Sequence, residues 1–211
     1  LRASNEILKK RSFEAKDTTA LASSYFFSGN LNLNDNELDS AYYYYLNAER
    51  LFLKKGETKT LSNVYLNKST VQLVINDFLG AEFSASQALK FYRQNENILG
   101  QYDAYTNLGI ASNGNENYEN AIQYYKKALN LSTENNINQD YYLKEISINN
   151  IGNAYLSLKR YKESIKSFED ALKNKDIGKD RPSLYATLLD NLAYAKFKNN
   201  EKQGLESLFL K

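Results

Sequence analysis

Histidine and cysteine are both absent from this 211-residue chain, so any chemistry must come from carboxylates, amines, guanidinium groups, hydroxyls and amides. Without histidine the commonest general base and the commonest transition-metal ligand are missing. Without cysteine there are no disulfides, thiolate nucleophiles or thiolate-bound metals. A Ser-His-Asp or Cys-His triad is excluded within the chain. Asp39, Glu49, Asp103, Glu145 and Asp190 are the candidates for paired acids in hydrolysis or for Ca²⁺ ligands. Their helical scatter offers neither an oxygen-rich loop nor a convergent pair, so they read as solvated charge. The run Tyr42-Tyr43-Tyr44-Tyr45 suggests a stacking platform, but four consecutive helical residues point in four directions. Tyr42 and Tyr45 are expected in the core, Tyr43 and Tyr44 near the surface. No catalytic residue, metal site or cofactor is assigned, and the chain reads as a non-enzyme.

Composition supports a folded protein with 42% apolar and 25% charged residues, too apolar for wholesale disorder. Eighteen Tyr and ten Phe supply the large buried groups, since Trp and Met are absent. The net charge is +2, and basic doublets such as Lys54-Lys55, Lys126-Lys127 and Lys159-Arg160 are scattered among acids. A nucleic-acid stripe would be clustered and more basic, so no nucleic-acid partner is expected. No apolar run approaches the roughly 20 residues of a membrane span, and no direct membrane insertion is expected. The chain has no initiator Met and ends inside an apolar helical pattern, Leu205 to Lys211. It reads as a piece of something longer, which leaves compartment open.

Self-similarity organises the rest. Ala41-Tyr42-x-x-Tyr45-x-x-Ala48, Ala121-Ile122-x-x-Tyr125-x-x-Ala128-Leu129 and Ser164-Ile165-x-x-Phe168-x-x-Ala171-Leu172 align without gaps, with Ala81-x-x-x-Ala85-x-x-Ala88-Leu89 as a weaker copy. Such spacing is one continuous stripe on a 3.6-residue helix. Each Ala lets a neighbouring helix approach while the aromatic fills the adjacent gap. Before each stripe lies another apolar helix with a small residue, at Gly29, Gly109, Gly152 or Ala193. A helical Gly costs about 0.5–1 kcal/mol relative to Ala, so its recurrence predicts a partner helix crossing there at close range.

Punctuation agrees. Asp77 and Asn117 are good N-cap types, Gly56 suits a helix C-cap, and Pro182 suits the first turn of a new helix. Nothing alternates with period two over a useful length. The chain is therefore expected to be all-α. Helices are predicted at 3–14, 17–30, 37–54, 58–75, 78–94, 98–113, 118–132, 139–158, 161–174, 182–198 and 202–211. They group as a partial helix, hairpins at 17–54, 58–94, 98–132 and 139–174, and a last, truncated hairpin at 182–211. All are expected to form one array over 1–211.

At Tyr105-x-x-Leu108-Gly109 followed by Ala121-x-x-x-Tyr125-x-x-Ala128, the chain resembles the tetratricopeptide repeat family. Ile148-x-x-Ile151-Gly152-x-x-Tyr155 with Phe168 and Ala171 is a second match. The resemblance implies a right-handed superhelical solenoid of helical hairpins. Ala48, Ala88, Ala128 and Ala171 lie 40, 40 and 43 residues apart, against about 34 for the minimal repeat. The helices should thus be longer than minimal ones. Lys68 and Gln72 stand where the pattern wants an apolar residue and an aromatic, which leaves the register of that helix open. The family's usual Pro after each hairpin is missing. The segment Asp176 to Lys198 is similar to the final repeat in sensor regions of bacterial two-component histidine kinases. That likeness implies an extracytoplasmic sensing segment of a signal-transduction protein; arrays in transcription regulators look similar.

In the resembled family the first helix of each pair lines an inner wall suited to a protein or peptide partner. An Asn before the Leu-Gly pair there often hydrogen-bonds peptide backbone. The resemblance carries that role to Asn67, Asn107, Asn150 and Asn191, and Asn153 lies one turn along the same wall. The version that captures acidic C-terminal tails needs Lys before that Asn. Here the positions hold Leu66, Thr106, Asn149 and Asp190, so that sub-function is not expected. The competing reading is a structural scaffold that self-associates through its end helices, with Leu205, Leu208, Phe209 and Leu210 as the sticky residues.

Overall fold

A computed structural model describes residues 2–135, 137 and 142–201. Among these the chain is all-α, built from α1 (Arg2–Glu14), α2 (Thr18–Asn34), α3 (Leu38–Lys55), α4 (Thr58–Val74), α5 (Phe78–Gln94), α6 (Ile98–Gly114), α7 (Tyr118–Glu134), α8 (Leu143–Ser157), α9 (Tyr161–Ala171), α10 (Ile177–Asp180) and α11 (Pro182–Lys198). The predicted helix 202–211, with its four apolar residues, lies outside the described residues, as do residues 139–141 of the helix predicted at 139–158. Two compact units divide the chain, Leu1–Asn115 and Glu116–Lys211.

The helices of the first unit end on one repeated device. Lys16, Asn36, Gly56, Asn76 and Glu96 all adopt a left-handed backbone, with φ between 53° and 68°. They are spaced 20 residues apart. In each case the left-handed residue and its successor donate N–H bonds back into the last turn. Asn76 N bonds Leu73 O at 3.1 Å and Asp77 N bonds Gln72 O at 2.8 Å. This is the Schellman arrangement, which satisfies carbonyls that a helix end leaves bare. The successor residue then caps the next helix: Asp17, Glu57, Asp77 and Asn97 each accept from a backbone N–H three residues on. One residue therefore closes a helix and opens the next. Helices of 17 residues followed by a three-residue turn, or of 18 followed by a two-residue turn (α2 to α6), account for the long repeat. A proline after the hairpin is not needed, because the left-handed turn already stops the helix.

Within the first unit the chain runs as antiparallel neighbours: α2 packs on α3, α4 on α5, and α3 and α5 each pack on the helix that follows. The predicted stripes are the core. Ala41, Tyr45, Ala48, Ala81, Ala85 and Ala88 are fully buried. Gly29 is needed for the α2–α3 crossing, since a Cβ there would come within 2.4 Å of the Tyr45 ring. Of the four consecutive tyrosines, Tyr45 is core, Tyr43 is exposed, and Tyr42 and Tyr44 are half-buried. Tyr42 is thus less deeply placed than expected.

Helix α4 keeps its register in spite of its polar residues. Lys68 and Gln72 are buried where the repeat pattern wants apolar side chains. Lys68 Nζ reaches Glu49 Oε2 of α3 at 2.5 Å and lies over the Tyr65 ring, 5.1 Å from its centroid. Gln72 Nε2 donates to Asp77 Oδ2 at 2.8 Å, and its Oε1 accepts from Ser84 Oγ at 2.7 Å. A buried polar group is tolerated when its bonds are satisfied. Polar pairing replaces apolar packing, and rotation of the helix is unnecessary.

In the second unit α7 packs on α8, α8 on α9, and α11 on both α9 and α8. Gly152 sits against Phe168, whose ring would lie 2.5 Å from an added Cβ. Helix α9 stops at Ala171, three residues before the predicted end, and the short α10 was not anticipated. Ile177 explains the detour: it is fully buried with Tyr142, Phe168, Leu188 and Leu192. The chain turns back to bury it, and Asn174 Oδ1 accepts the Asp176 N–H at that bend. Helix α11 begins at Pro182 as expected.

Candidate functional site

In the first unit α2 lies beside α4 and α4 beside α6, whereas no comparable packing joins α3 to α5. The first helices of successive repeats are thus neighbours and form a continuous wall. Asparagine amides tie it together. Asn67 Nδ2 on α4 donates to Asn30 Oδ1 on α2 at 2.8 Å. Asn107 Nδ2 on α6 donates to Ser69 Oγ at 2.7 Å and Thr70 Oγ1 at 3.2 Å, both on α4. The second unit repeats the device between α11 and α8: Asn191 Nδ2 donates to Asn149 Oδ1 at 2.9 Å. Each of these asparagines reaches back to the preceding first helix.

Asn67, Asn107, Asn150, Asn153 and Asn191 are all half-buried. Asn67 and Asn107 belong to the first unit, Asn150, Asn153 and Asn191 to the second. Three of them use an amide N–H to bind a neighbouring helix, so part of their hydrogen-bonding capacity is structural. Asn150 and Asn153 make no such side-chain bond to the described residues, which leaves their amides open to a ligand.

Several wall residues were not singled out as such by the sequence. Asn30, Asn63, Thr70 and Asp103 share the face that carries Asn67 and Asn107; Asp103 lies one helical turn before Asn107, as Asn63 does before Asn67. Register against the Leu108-Gly109 pair was the signal that could have found them. Tyr92 OH donates to Asn63 Oδ1 at 2.7 Å. Burial pushes the Asp103 carboxyl up to about 6. It also raises the Tyr92 hydroxyl, with the negative charge of Asp103 adding to the effect.

The expectation of solvated charge holds for Asp39 and Asp190, which are exposed. It fails for the other three acids. Glu49 is paired with Lys68. Asp103 is half-buried in the wall. Glu145 is buried, takes an Asn174 Nδ2 bond at 3.0 Å on one oxygen, and has no partner on the other. Among the described residues no group of three acids could hold a metal ion, and no helix is long and apolar enough to cross a membrane.

Hairpins stacked with their first helices side by side, joined by amides, define a tetratricopeptide-like helical-repeat domain. Residues 101–177 match the model of the tetratricopeptide repeat family. No curated protein matches the sequence. Among solved structures, the apo form of RapI superposes with a TM-score of 0.83 at 24% identity, covering 100% of this chain and 58% of RapI. BtubC (BKLC) from P. vanneervenii gives 0.80 at 18% identity, covering 98% of this chain and 84% of that one. The Rap conjugation gene regulator of the plasmid pLS20, in complex with a Phr peptide, gives 0.71 at 15% identity, with 94% and 54% covered. These likenesses show the fold; the chain spans little more than half the length of the two Rap proteins.

Proposed function

We propose that the chain is a non-catalytic domain that binds a peptide or an extended segment of a protein along the first helices of its repeats, as the regulatory part of a bacterial signal-transduction protein. The observation that carries this reading is the row of half-buried amides and hydroxyls on neighbouring first helices, because such groups can both donate to and accept from the N–H and C=O groups of an extended backbone. A surface made of neighbouring first helices suits a polypeptide better than a small substrate. The Rap regulator above, held in complex with a peptide, supports the same assignment by fold. The narrower step, to the sensing segment of a two-component histidine kinase, rests on the sequence resemblance of residues 176–198.

An immobilised library of random hexapeptides, probed with the labelled chain, tests the reading. Asn150→Ala and Asn153→Ala are the informative variants: both side chains are half-buried and neither makes a side-chain bond to the described residues, so each leaves the fold intact. Selected peptides should bind these variants several-fold more weakly. Equal binding by wild type and both variants would remove the wall as the binding surface.

A further inference from the structure

We propose a second recognition element, an anchor cavity between α1 and α2 that takes one apolar side chain of an extended peptide together with its flanking backbone groups. It deepens the peptide-binding reading above and rests on it for the identity of the occupant. The cavity has a volume of about 320 Å³ and is lined by Ser4, Asn5, Leu8, Phe27, Asn30 and Leu31. Leu8 and Phe27 are 41% and 52% exposed, so its apolar surface is open to an incoming group. A cleft of this size with a mainly apolar lining and a few polar groups is the usual form of a ligand pocket.

The polar groups specify the occupant. Asn5 Nδ2 is used in bonds to Ser24 O at 3.0 Å and Ser28 Oγ at 2.8 Å. Its Oδ1 is shielded from solvent and has no hydrogen-bond partner. A shielded acceptor without a donor is unfavourable, so an occupant that parts the side chains covering it and brings an N–H group is favoured over one that is wholly apolar. Asn30 has the opposite need. Its Oδ1 accepts from both Tyr45 OH at 2.9 Å and Asn67 Nδ2 at 2.8 Å, while its Nδ2 donates to no described residue. The cavity thus offers one acceptor and one donor around an apolar floor. An apolar amino-acid residue, with an N–H on one side and a C=O on the other, presents the complementary set. Asn30 is also the first rung of the amide wall, so a peptide anchored here continues onto α4.

N-acetyl-leucine methylamide and N-acetylglycine methylamide are the probes, titrated into the ¹⁵N-labelled 211-residue chain and followed by the side-chain amide signals of Asn5 and Asn30. The leucine compound should shift both signals saturably in the millimolar range, and the glycine compound should not. Phe27→Ser should weaken the leucine compound at least fivefold, and because Phe27 is exposed the variant keeps its fold. Identical behaviour of the two probes, or no effect of Phe27→Ser, overturns the proposal. The peptide library separates this outcome from failure of the wider reading. Peptides that bind without an apolar preference and ignore Phe27→Ser sink the anchor and leave the wall; probe binding with no library peptide selected does the reverse.

Discussion

Lys68 and Glu49 meet at 2.5 Å between α4 and α3, at a position where the repeat pattern places an apolar side chain. Both are largely shielded, with 7% and 16% of their side chains exposed. Taking two charges out of water is costly, and their attraction offsets the cost only while both are present.

Removing one partner should therefore be far worse than removing both. Lys68→Ala leaves Glu49 without its cation and is expected to destabilise the chain by about 3 kcal/mol, somewhat tempered by the residual exposure of Glu49. The double replacement Lys68→Leu with Glu49→Leu restores the apolar pattern and should be neutral or stabilising. Urea midpoints for the single and double variants measure the coupling directly. Additive losses would mean that the pair contributes nothing to the α3–α4 junction.

Asp103 makes a pH prediction of unusual sign. Burial raises its carboxyl from 3.8 to about 6, so the folded state holds a proton more tightly than the unfolded chain does. Stability contributed by this group is present below about pH 4 and is lost as pH rises through about 6. The penalty at neutral pH is on the order of 3 kcal/mol. Asp103→Asn should be more stable than wild type at pH 7 by about that amount, and the advantage should vanish at pH 4. Denaturant unfolding at the two pH values checks this, and a pH-independent difference would show that Asp103 is solvated after all.

The left-handed turns predict opposite effects for two glycine exchanges. Glu96 and Gly56 both lie in the left-handed region, at φ 53° and 68°, a conformation that costs a side-chain-bearing residue roughly 1 kcal/mol. Glu96→Gly should stabilise by up to about 1 kcal/mol, and Gly56→Ala should destabilise by a similar amount. No neighbouring atom lies within 4 Å of where the new Cβ at Gly56 would stand, so backbone strain alone sets that effect. Thermal midpoints moving in the same direction for both variants would contradict the turn assignment.

The starts, stops and buried faces of most helices were written in local pattern. The stripe from Ala121 to Ala128, the N-cap at Asp77 and the stop at Gly56 depend on neighbours within one or two helical turns, and such rules act before any tertiary contact forms. The same sequence did not announce that Asn36, Asn76 and Glu96 would share the backbone of Gly56, because a left-handed residue other than glycine carries little signal of its own. Nor did it show the extra turn around Ile177, whose burial is decided by the cluster that receives it.

The wall belongs to the tertiary structure. Asn67 finds Asn30 across 37 residues, and Asn107 finds Ser69 across 38; which amide meets which helix depends on the offset between stacked hairpins. Stacking also turned three acids that looked solvated into a buried pair, a raised carboxyl and a half-satisfied carboxylate. A residue's type travels with the sequence, but its dielectric surroundings and hydrogen-bond partners exist only once distant segments are packed together.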